Sequence, residues 1–381
     1  MTRQNKTALI IGAGLQGCSI ALFLAKAGWK VTLFDKNVAG RHASSVNAGG
    51  LRMLLRDWRE YPLAQRAMWH WANLDQLVGA AAAKSCEVRL GVSQIALALD
   101  EAEMSWAISR AEDMARRNLG QEELLSRDAV RSLLPGVSGR ALGGLISRAD
   151  GHANPAAATR AFREACMAAG AQIVQNCQVQ GLAPVGGGGW RVTTPTGNHE
   201  GGVLVNCGGA WGADVAAMAG QALPLRTVAP SMMVTARVQP FLGPVVIGID
   251  RPLSFKQSAV GSLVIGGGIL GKPCPERDTS FTVMDRMTQS AAATLEAFPA
   301  LAHAPVLRTW TGLEGATPDG IPFIGPGPGT PDLWHVFGFC GHGFHLSPAV
   351  GESVAHSLVS GSLHPMLAPF GCNRFAHGAN A

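Results

Sequence analysis

Three glycines near the amino terminus have the spacing of a loop that binds phosphate. They lie in the hexapeptide Gly12, Ala13, Gly14, Leu15, Gln16 and Gly17, directly after a short apolar run. The first glycine permits a tight turn, the second lets a pyrophosphate approach the backbone, and the third allows a helix to pack on the strand. Free N–H groups and the dipole of such a helix attract phosphate. The hexapeptide is therefore predicted to bind a dinucleotide.

The sequence around this loop predicts the elements that position it. Residues 7–11 have the apolar pattern of a buried strand, residues 18–27 have helical periodicity, and residues 31–34 have the pattern of a second strand. Together they form a β-α-β unit of roughly 30 residues. Asp35 ends the second strand, where its carboxylate is placed to accept hydrogen bonds from a ribose diol and to disfavour NADP. The alternative is a glycine turn with a purely structural role.

A second loop follows the second strand and has the composition of a cofactor contact. Residues 41–52 read RHASSVNAGGLR. Ser44 and Ser45 carry hydroxyls able to reach phosphate oxygens, and Asn47, Gly49 and Gly50 let the backbone approach a long, flat cofactor. The alternative is an ordinary surface turn, which the same residue types favour.

The remaining patterns place further elements along the chain. They predict helices at 59–77 and 155–170, strands at 172–182, 189–194 and 202–207, a β-rich stretch at 231–268, a strand at 333–339, a loop at 340–348 and a helix at 349–359. The length of 381 residues favours two joined domains.

Four blocks of the sequence resemble the D-amino-acid oxidase superfamily of flavoproteins, in the branch that holds sarcosine oxidase, glycine oxidase and the flavoprotein subunits of bacterial amine dehydrogenases. The blocks are GAGLQG with FDK, ASSVNAGG, VLVNCGGAW, and the tail RTWTGLEGATPDGIPFIGP with GFCGHGFHLSPAVGE. They span nearly the whole chain in the family's order. The resemblance implies an α/β fold, in which a Rossmann-type FAD-binding domain, split along the chain, carries an inserted, mostly antiparallel β-sheet substrate domain. It assigns residues 1–86, 140–225 and 312–381 to the FAD-binding domain, and 87–139 and 226–311 to the substrate-binding domain.

The resemblance also implies which residues contact FAD. A glycine-rich loop entering a helix presents N–H groups where reduced flavin carries negative charge, which gives the C-terminal loop its own rationale. Trp310 to Leu313 replace the cysteine that attaches flavin in monomeric sarcosine oxidases, so FAD is expected to bind non-covalently. The expected contacts are Gly12, Ala13, Gly14, Leu15, Gln16, Gly17, Asp35, Lys36, Ser44, Ser45, Asn47, Ala48, Gly49, Gly50, Val179, Gly208, Trp211, Gly312, Gly341, His342, Gly343, Phe344, His345 and Leu346.

Two residues are candidates for handling a substrate. Arg52 follows the flavin loop and matches an active-site arginine of sarcosine oxidases, so it is predicted to bind a substrate carboxylate; the alternative is a surface or phosphate-facing arginine. His345 stands where those oxidases carry a lysine, and it is predicted to tune the flavin or the amine, unless it is only packed. The implied reaction is oxidation of the C–N bond of a small amino acid, imino acid or opine by hydride transfer to flavin N5.

The resemblance favours a dehydrogenase over an oxidase. Val264 occupies the position of the oxygen-activating lysine of sarcosine oxidases. GHGF, GESVA and the turn before Pro155 resemble β subunits of hetero-oligomeric dehydrogenases for opines, D-hydroxyproline and L-proline, and the related hydrogen cyanide synthase. Partner subunits with further redox centres would then accept the electrons, with FMN at a subunit interface as an open option. The alternatives are a stand-alone oxidase that makes hydrogen peroxide, and a flavin subunit that serves only electron relay or assembly.

Composition excludes several other classes of protein. The formal net charge of +5 fits an anionic cofactor or a carboxylate substrate but is too small to indicate nucleic acid. The eight cysteines are scattered without a C-x-x-C pair, so no metal site is expected. The basic N-terminus could pass for a signal peptide, but its apolar part runs directly into the glycine loop. No stretch is long and apolar enough to span a bilayer, and the expected location is the cytoplasm.

Overall fold

A computed structural model describes residues 6–375 of the chain. The helices of this part are α1 (Leu15–Lys26), α2 (Ala43–Val46), α3 (Tyr61–Ala72), α4 (Asp75–Val78), α5 (Ala80–Ser85), α6 (Glu101–Arg116), α7 (Arg127–Leu133), α8 (Pro155–Ala168), α9 (Gly212–Met218), α10 (Met284–Ala297) and α11 (Gly343–Ser360). The strands are β1 (Thr7–Ile11), β2 (Lys30–Phe34), β3 (Gly50–Leu51), β4 (Gln94–Ala98), β5 (Glu123–Ser126), β6 (Gly143–Ser147), β7 (Gly151–His152), β8 (Gln172–Val174), β9 (Gly181–Pro184), β10 (Trp190–Thr194), β11 (Gly197–Gly201), β12 (Val203–Asn206), β13 (Arg226–Val228), β14 (Ser231–Arg237), β15 (Val245–Gly248), β16 (Ser254–Gln257), β17 (Ser262–Gly266), β18 (Lys272–Cys274), β19 (Thr279–Phe281), β20 (Val306–Thr311), β21 (Glu314–Ala316), β22 (Phe323–Gly327) and β23 (Thr330–Phe337).

One sheet is made by strands from three separate parts of the chain. Its order is β22-β23-β12-β1-β2-β8, and every neighbouring pair is parallel except β22 with β23. The strands are buried and apolar, as parallel strands covered on both faces must be. Helices α1, α8 and α11 pack together beside this sheet. The first β-α-β unit and the split of this domain along the chain are therefore confirmed.

The second sheet has eight strands, in the order β20-β14-β17-β16-β15-β4-β6-β5. Its pairs are antiparallel except β15 with β4. One face buries Phe255, Ile265 and Met233 in a core that also contains Ala293 and Phe298 from α10 and the turn after it. The opposite face meets the six-stranded sheet's cofactor loops across a cavity. The predicted fold class, a Rossmann-type domain with an inserted, mostly antiparallel domain, is confirmed.

The structure corrects three sequence-based boundaries. Strand β6 lies in the eight-stranded sheet, so the segment predicted to rejoin the FAD-binding domain at residue 140 begins one strand too early. The predicted strand 172–182 is interrupted between β8 and β9. The outer ends of the predicted segments 1–86 and 312–381 lie outside the described residues.

The third correction concerns the predicted loop at 340–348, because α11 begins at Gly343 rather than at 349. Pro348 lies inside this helix and has no N–H to give to the carbonyl of Phe344. The hydroxyl of Ser347 donates to that carbonyl over 3.0 Å instead. This substitution of donors lets the helix run through the proline, so its amino terminus points at the cavity six residues earlier than predicted.

No helix within the described residues is long and apolar enough to cross a membrane.

Candidate functional site

A cavity of about 850 Å³ lies between the two sheets and is lined by loops and strands of both. Its volume is in the range of sites for cofactors and drug-sized ligands. At one end it meets the amino terminus of α1, and at the other it meets the open face of the eight-stranded sheet. Within residues 6–375, no group of three His, Cys, Asp or Glu side chains is arranged to hold a metal ion.

The glycine loop is built so that nothing larger than glycine fits at its first position. Gly12 has φ +98°, and a Cβ there would lie 2.3 Å from the carbonyl oxygen of Cys207 at the end of β12. The Cβ of any residue at 17 would likewise lie 2.0 Å from the carbonyl oxygen of Gly12, which is why α1 packs so closely on the turn. Asp35 accepts the N–H of Ala13 over 2.9 Å, so the acid fixes the loop that it follows by 22 residues.

The second loop is tied directly to the first. The hydroxyl of Ser44 accepts the N–H of Leu15 over 2.9 Å, at the amino terminus of α1. Asn47 closes its own turn, because its amide oxygen accepts the N–H of Gly49 over 2.7 Å while its NH₂ donates to the carbonyl of Ser44. Gly49 has φ +72°, and a Cβ there would lie 2.0 Å from the carbonyl oxygen of Ala153. The loop is therefore a fixed part of the cavity wall rather than a mobile surface turn.

Several polar groups on the cavity wall lack partners and fit a dinucleotide with a flavin. The buried Oε1 atom of Gln16 has no hydrogen bond, although its Nε2 donates to Gly343 over 2.7 Å. Val179 lines the cavity, and neither its backbone N–H nor its carbonyl has a hydrogen-bond partner among the described residues. With the exposed amino terminus of α1, these groups offer donors and acceptors to phosphates, to a ribityl chain and to an adenine. The residues present therefore fit FAD.

The far wall near Asp35 is formed by stacked side chains. The ammonium of Lys36 lies 3.3 Å from the ring centroid of Trp211 and pairs with Asp278. The ring of His42 lies 4.7 Å from the same tryptophan, centroid to centroid. Asp278 belongs to the turn between β18 and β19, so a short hairpin beyond the large sheet completes this end of the cavity.

Most of the expected cofactor contacts line the cavity, and six do not. The residues on its wall are Gly12, Gly14, Leu15, Gln16, Asp35, Lys36, Ser44, Asn47, Ala48, Gly49, Gly50, Val179, Gly208, Trp211, Gly312, Gly341, Gly343 and Phe344. The six behind the wall are Ala13, Gly17, Ser45, His342, His345 and Leu346. Ala13 and Leu346 are fully buried, so their side chains support the wall and do not form it.

Arg52 lies on the cavity wall as the sequence predicted. Its guanidinium makes no hydrogen bond and no ion pair with any residue between 6 and 375. Burial lowers the pKa of Arg52 to about 10, and the positive charge of Arg56 lowers it further in the same direction. An uncompensated cation at a protein wall is a binding site for an anion.

His345 does not line the cavity, and a network that sequence reasoning missed explains why. Nη2 of Arg56 donates to Nδ1 of His345 over 2.8 Å, which keeps the imidazole neutral. Burial, and then the charge of Arg56, lowers the pKa of His345 well below its ordinary value. The cation beneath the C-terminal loop is thus Arg56, which is only 1% exposed.

Glu60 balances this buried arginine. Its Oε2 lies 3.2 Å from Nη1 of Arg56 and 2.8 Å from Nδ1 of His342. Burial alone would raise the pKa of Glu60, but His342 and Arg56 together hold it below its ordinary value. His342 is therefore a structural partner of this carboxylate. The only sequence signal for the pair was the i,i+4 spacing of Arg56 and Glu60, which is also common on exposed helices.

Two further charged residues on the wall were not assigned from the sequence. Glu314, in the TGLEGATPD block, accepts the N–H of Gly341, and its second oxygen has no partner among the described residues. Burial raises the pKa of Glu314. Lys256 projects from β16 into the cavity directly beside Val264 of β17. The chamber that Val264 lines is therefore not without a cation.

Known proteins show the same sequence and fold along nearly the whole chain. The beta chain of sarcosine oxidase from Rhizobium meliloti (strain 1021) is 28% identical over 377 residues, which cover 97% of this chain and 88% of that protein. One of the subunits of opine oxidase from Rhizobium meliloti, the one designated B, is 26% identical over 387 residues, and the match covers 96% of each chain. The crystal structure of L-proline dehydrogenase from P. horikoshii superposes with a TM-score of 0.88 at 25% identity, covering 98% of both chains.

The sequence profile of one protein family, described as FAD dependent oxidoreductase (DAO), matches residues 7–357. The match includes the glycine loop, Arg52 and the amino terminus of α11. Its extent agrees with the fit of the cavity to FAD. The chain therefore belongs to the DAO family of FAD-dependent oxidoreductases.

Proposed function

We propose that this enzyme oxidises the C–N bond of a small amino acid, with Arg52 binding the substrate's carboxylate. The observation that carries the proposal is the unpaired guanidinium of Arg52 on the wall of a cavity whose other end fits FAD. The names of the two relatives, which are subunits of a sarcosine oxidase and of an opine oxidase, support a substrate with a secondary amine. Imino acids such as proline and D-hydroxyproline, sarcosine and opines belong to this class.

The chain's own residues would bind and orient the amino acid. Arg52 holds the carboxylate, and the unpartnered oxygen of Glu314 is placed to accept a hydrogen bond from the amine. A carboxylate with a raised pKa is also a suitable acceptor for the proton that the ammonium must lose before oxidation. When bound, the flavin supplies the acceptor for a hydride at its N5.

Arg56 and His345 act in this proposal as positioning residues. Arg56 donates to the backbone carbonyl of Arg52 as well as to His345, so one buried side chain connects the substrate arginine to the loop at the start of α11. The predicted role of His345 in tuning the site would then be exerted through Arg56 and the backbone, without contact with the substrate.

The electron acceptor is proposed to be a partner subunit rather than dioxygen. Val264 places an apolar side chain where the resemblance implies an oxygen-activating lysine, and both relatives are named as subunits. FMN bound between subunits is part of the same proposal. The eight cysteines, all free thiols in the structure, support a reducing compartment such as the cytoplasm.

Anaerobic reduction followed by reoxidation tests this function. The FAD-loaded chain is mixed without oxygen with sarcosine, proline, D-hydroxyproline or an opine, and the flavin absorbance is followed. We expect bleaching by at least one of these amines, slow recovery in air, and fast recovery with an artificial electron acceptor dye. Stoichiometric hydrogen peroxide and fast recovery in air would establish a stand-alone oxidase. A flavin that no amine bleaches, even after co-purification with partner subunits, would leave it a role only in electron relay or assembly.

A further inference from the structure

A row of four side chains crosses the face of the eight-stranded sheet that borders the cavity. Gln94 pairs with Val245, and Lys256 pairs with Val264. Because Val246 pairs with Phe255 in an antiparallel register, Val245 and Lys256 are also neighbours. All four side chains line the cavity, whereas Phe255 points into the core on the other side of the sheet.

This row faces the part of the cavity that contains Arg52. A Cβ on Gly50 would lie 3.7 Å from Nε2 of Gln94, so the row begins directly against the second cofactor loop. Arg52 follows Gly50 by two residues and lines the same cavity. Lys256 lies two strands along the row from Gln94, about 10 Å at the usual spacing between strands. Lys256 and Arg52 therefore belong to one chamber.

The ammonium of Lys256 has no counter-charge in the protein. It makes no hydrogen bond or ion pair with any described residue, and the carboxylate that acts on it from a distance, Glu87, is exposed. Burial lowers the pKa of Lys256 to about 8. His152, on the neighbouring β7, adds no negative charge, because burial and then the charge of Lys256 lower its pKa to about 4.

Another cation on the same wall shows how the chain treats an arginine that it does not offer to a ligand. Arg251 also lines the cavity, but its guanidinium pairs with Asp100, Glu103 and Glu296. An unmatched buried cation is unfavourable, and evolution ordinarily pairs it or replaces it. Lys256 and Arg52 are left unmatched in the same chamber, which indicates that a ligand supplies two negative charges.

We propose that Lys256 binds a second carboxylate of the substrate, so that the enzyme acts on a secondary amine that carries two carboxylates. Arg52 binds the carboxylate beside the oxidised carbon, and Lys256 binds the acid on the other nitrogen substituent. This inference rests on the proposed function and names its substrate class: N-(carboxyalkyl) amino acids, of which iminodiacetate is the smallest.

The chemistry leaves both carboxylates intact. Oxidation removes two electrons and two protons from the C–N bond of iminodiacetate and gives an imine, and the electron pair passes to the bound FAD. Addition of one water to the imine breaks the C–N bond and releases glyoxylate and glycine. A second carboxylate therefore contributes to binding and orientation only, which is the role assigned to Lys256.

Iminodiacetate and sarcosine form a matched pair for the test, because they differ only in whether the second nitrogen substituent carries a carboxylate. The rate constants for anaerobic reduction of the FAD are compared for the wild-type holoenzyme, Lys256→Met and the control Lys272→Met, an exposed lysine on β18. We expect the wild type to prefer iminodiacetate, and Lys256→Met to lower the ratio of iminodiacetate to sarcosine efficiency about 10- to 100-fold, as for loss of a hydrogen bond to a charged group. Lys272→Met should keep the wild-type ratio.

Calorimetric titration of the same proteins with iminodiacetate gives a readout that does not depend on turnover. Weaker binding to Lys256→Met than to Lys272→Met supports the inference. An unchanged ratio in Lys256→Met, a wild type that prefers sarcosine, or equal binding by both variants would overturn it. If neither amine reduces the FAD of the wild type, the proposed function fails, while the titration still decides the role of Lys256.

Discussion

Two arginines four residues apart should respond in opposite ways to the same substitution. Arg52 has no partner among the described residues, whereas Arg56 pairs with Glu60 and donates to His345. We predict that Arg52→Met stabilises the protein without FAD and abolishes most substrate oxidation, whereas Arg56→Met destabilises the fold. The contrast separates a residue kept for a ligand from one kept for structure.

The magnitudes follow from the environments. The fall in the pKa of Arg52 from 12.5 to about 10 means that the folded protein disfavours the charged form at every pH below about 10, by at most about 3 kcal/mol. Water in the open cavity screens part of this penalty, so the expected gain for Arg52→Met is about 1–2 kcal/mol. Arg56→Met leaves Glu60, which is 0% exposed, without its arginine, and the expected loss is about 3–5 kcal/mol.

The assay has two parts. Urea unfolding of the FAD-free proteins, followed by tryptophan fluorescence, gives the free energies of unfolding. Anaerobic mixing of the FAD-loaded proteins with substrate gives the rate of flavin reduction, which should fall at least about 100-fold in Arg52→Met because charge-assisted hydrogen bonds to the carboxylate are lost. Arg308→Met, at an exposed position on β20, is the control and should change neither quantity. Destabilisation by Arg52→Met with unchanged flavin reduction would refute the reasoning and assign Arg52 a structural role.

Three other predictions concern the cofactor loop and two charged groups. Gly12→Ala should lose FAD, because φ is +98° and the new Cβ would overlap the carbonyl of Cys207; a normal ratio of flavin to protein absorbance in the purified variant would contradict this. Because the pKa of Glu314 is raised, its carboxyl protonates as the pH falls, so flavin reduction should slow on the acid side in the wild type. Glu314→Gln should remove that pH dependence, and an identical acid limb in the variant would exclude the carboxylate. Lys256 is protonated below about pH 8, so the preference for iminodiacetate over sarcosine should disappear above that pH; a constant ratio between about pH 7 and 9.5 would argue against a charged Lys256.

The cofactor end could be predicted because its signals are local in the sequence. Gly12 and Gly17 are fixed by contacts within one β-α-β unit, and Asp35 closes on the backbone of Ala13 in the same unit. The loop around Ser44 and Asn47 likewise makes most of its bonds within itself or to the start of α1. Short-range geometry of this kind leaves residue types at set spacings, which one sequence is enough to reveal.

The substrate end depends on contacts between distant segments. Lys256 alternates with apolar residues on β16 and looks like a solvent-facing residue, because the sequence does not show that this face of the sheet closes a cavity. Arg56 and Glu60 look like an exposed i,i+4 pair until the start of α11 buries them. Pro348 is typical of the start of a helix, because proline favours the first turn, and only the bond from Ser347 shows how the helix continues through it.

The central claim is that this chain holds FAD and passes electrons to it from the C–N bond of an amino acid. The most direct measurement is the absorption spectrum of the purified, FAD-reconstituted chain before and after anaerobic addition of a secondary amino acid. We predict a flavin spectrum that bleaches with sarcosine, proline or iminodiacetate, and that does not bleach in Arg52→Met. A chain that binds no FAD after reconstitution would contradict the cofactor assignment, and bound FAD that no amine reduces would contradict the reaction.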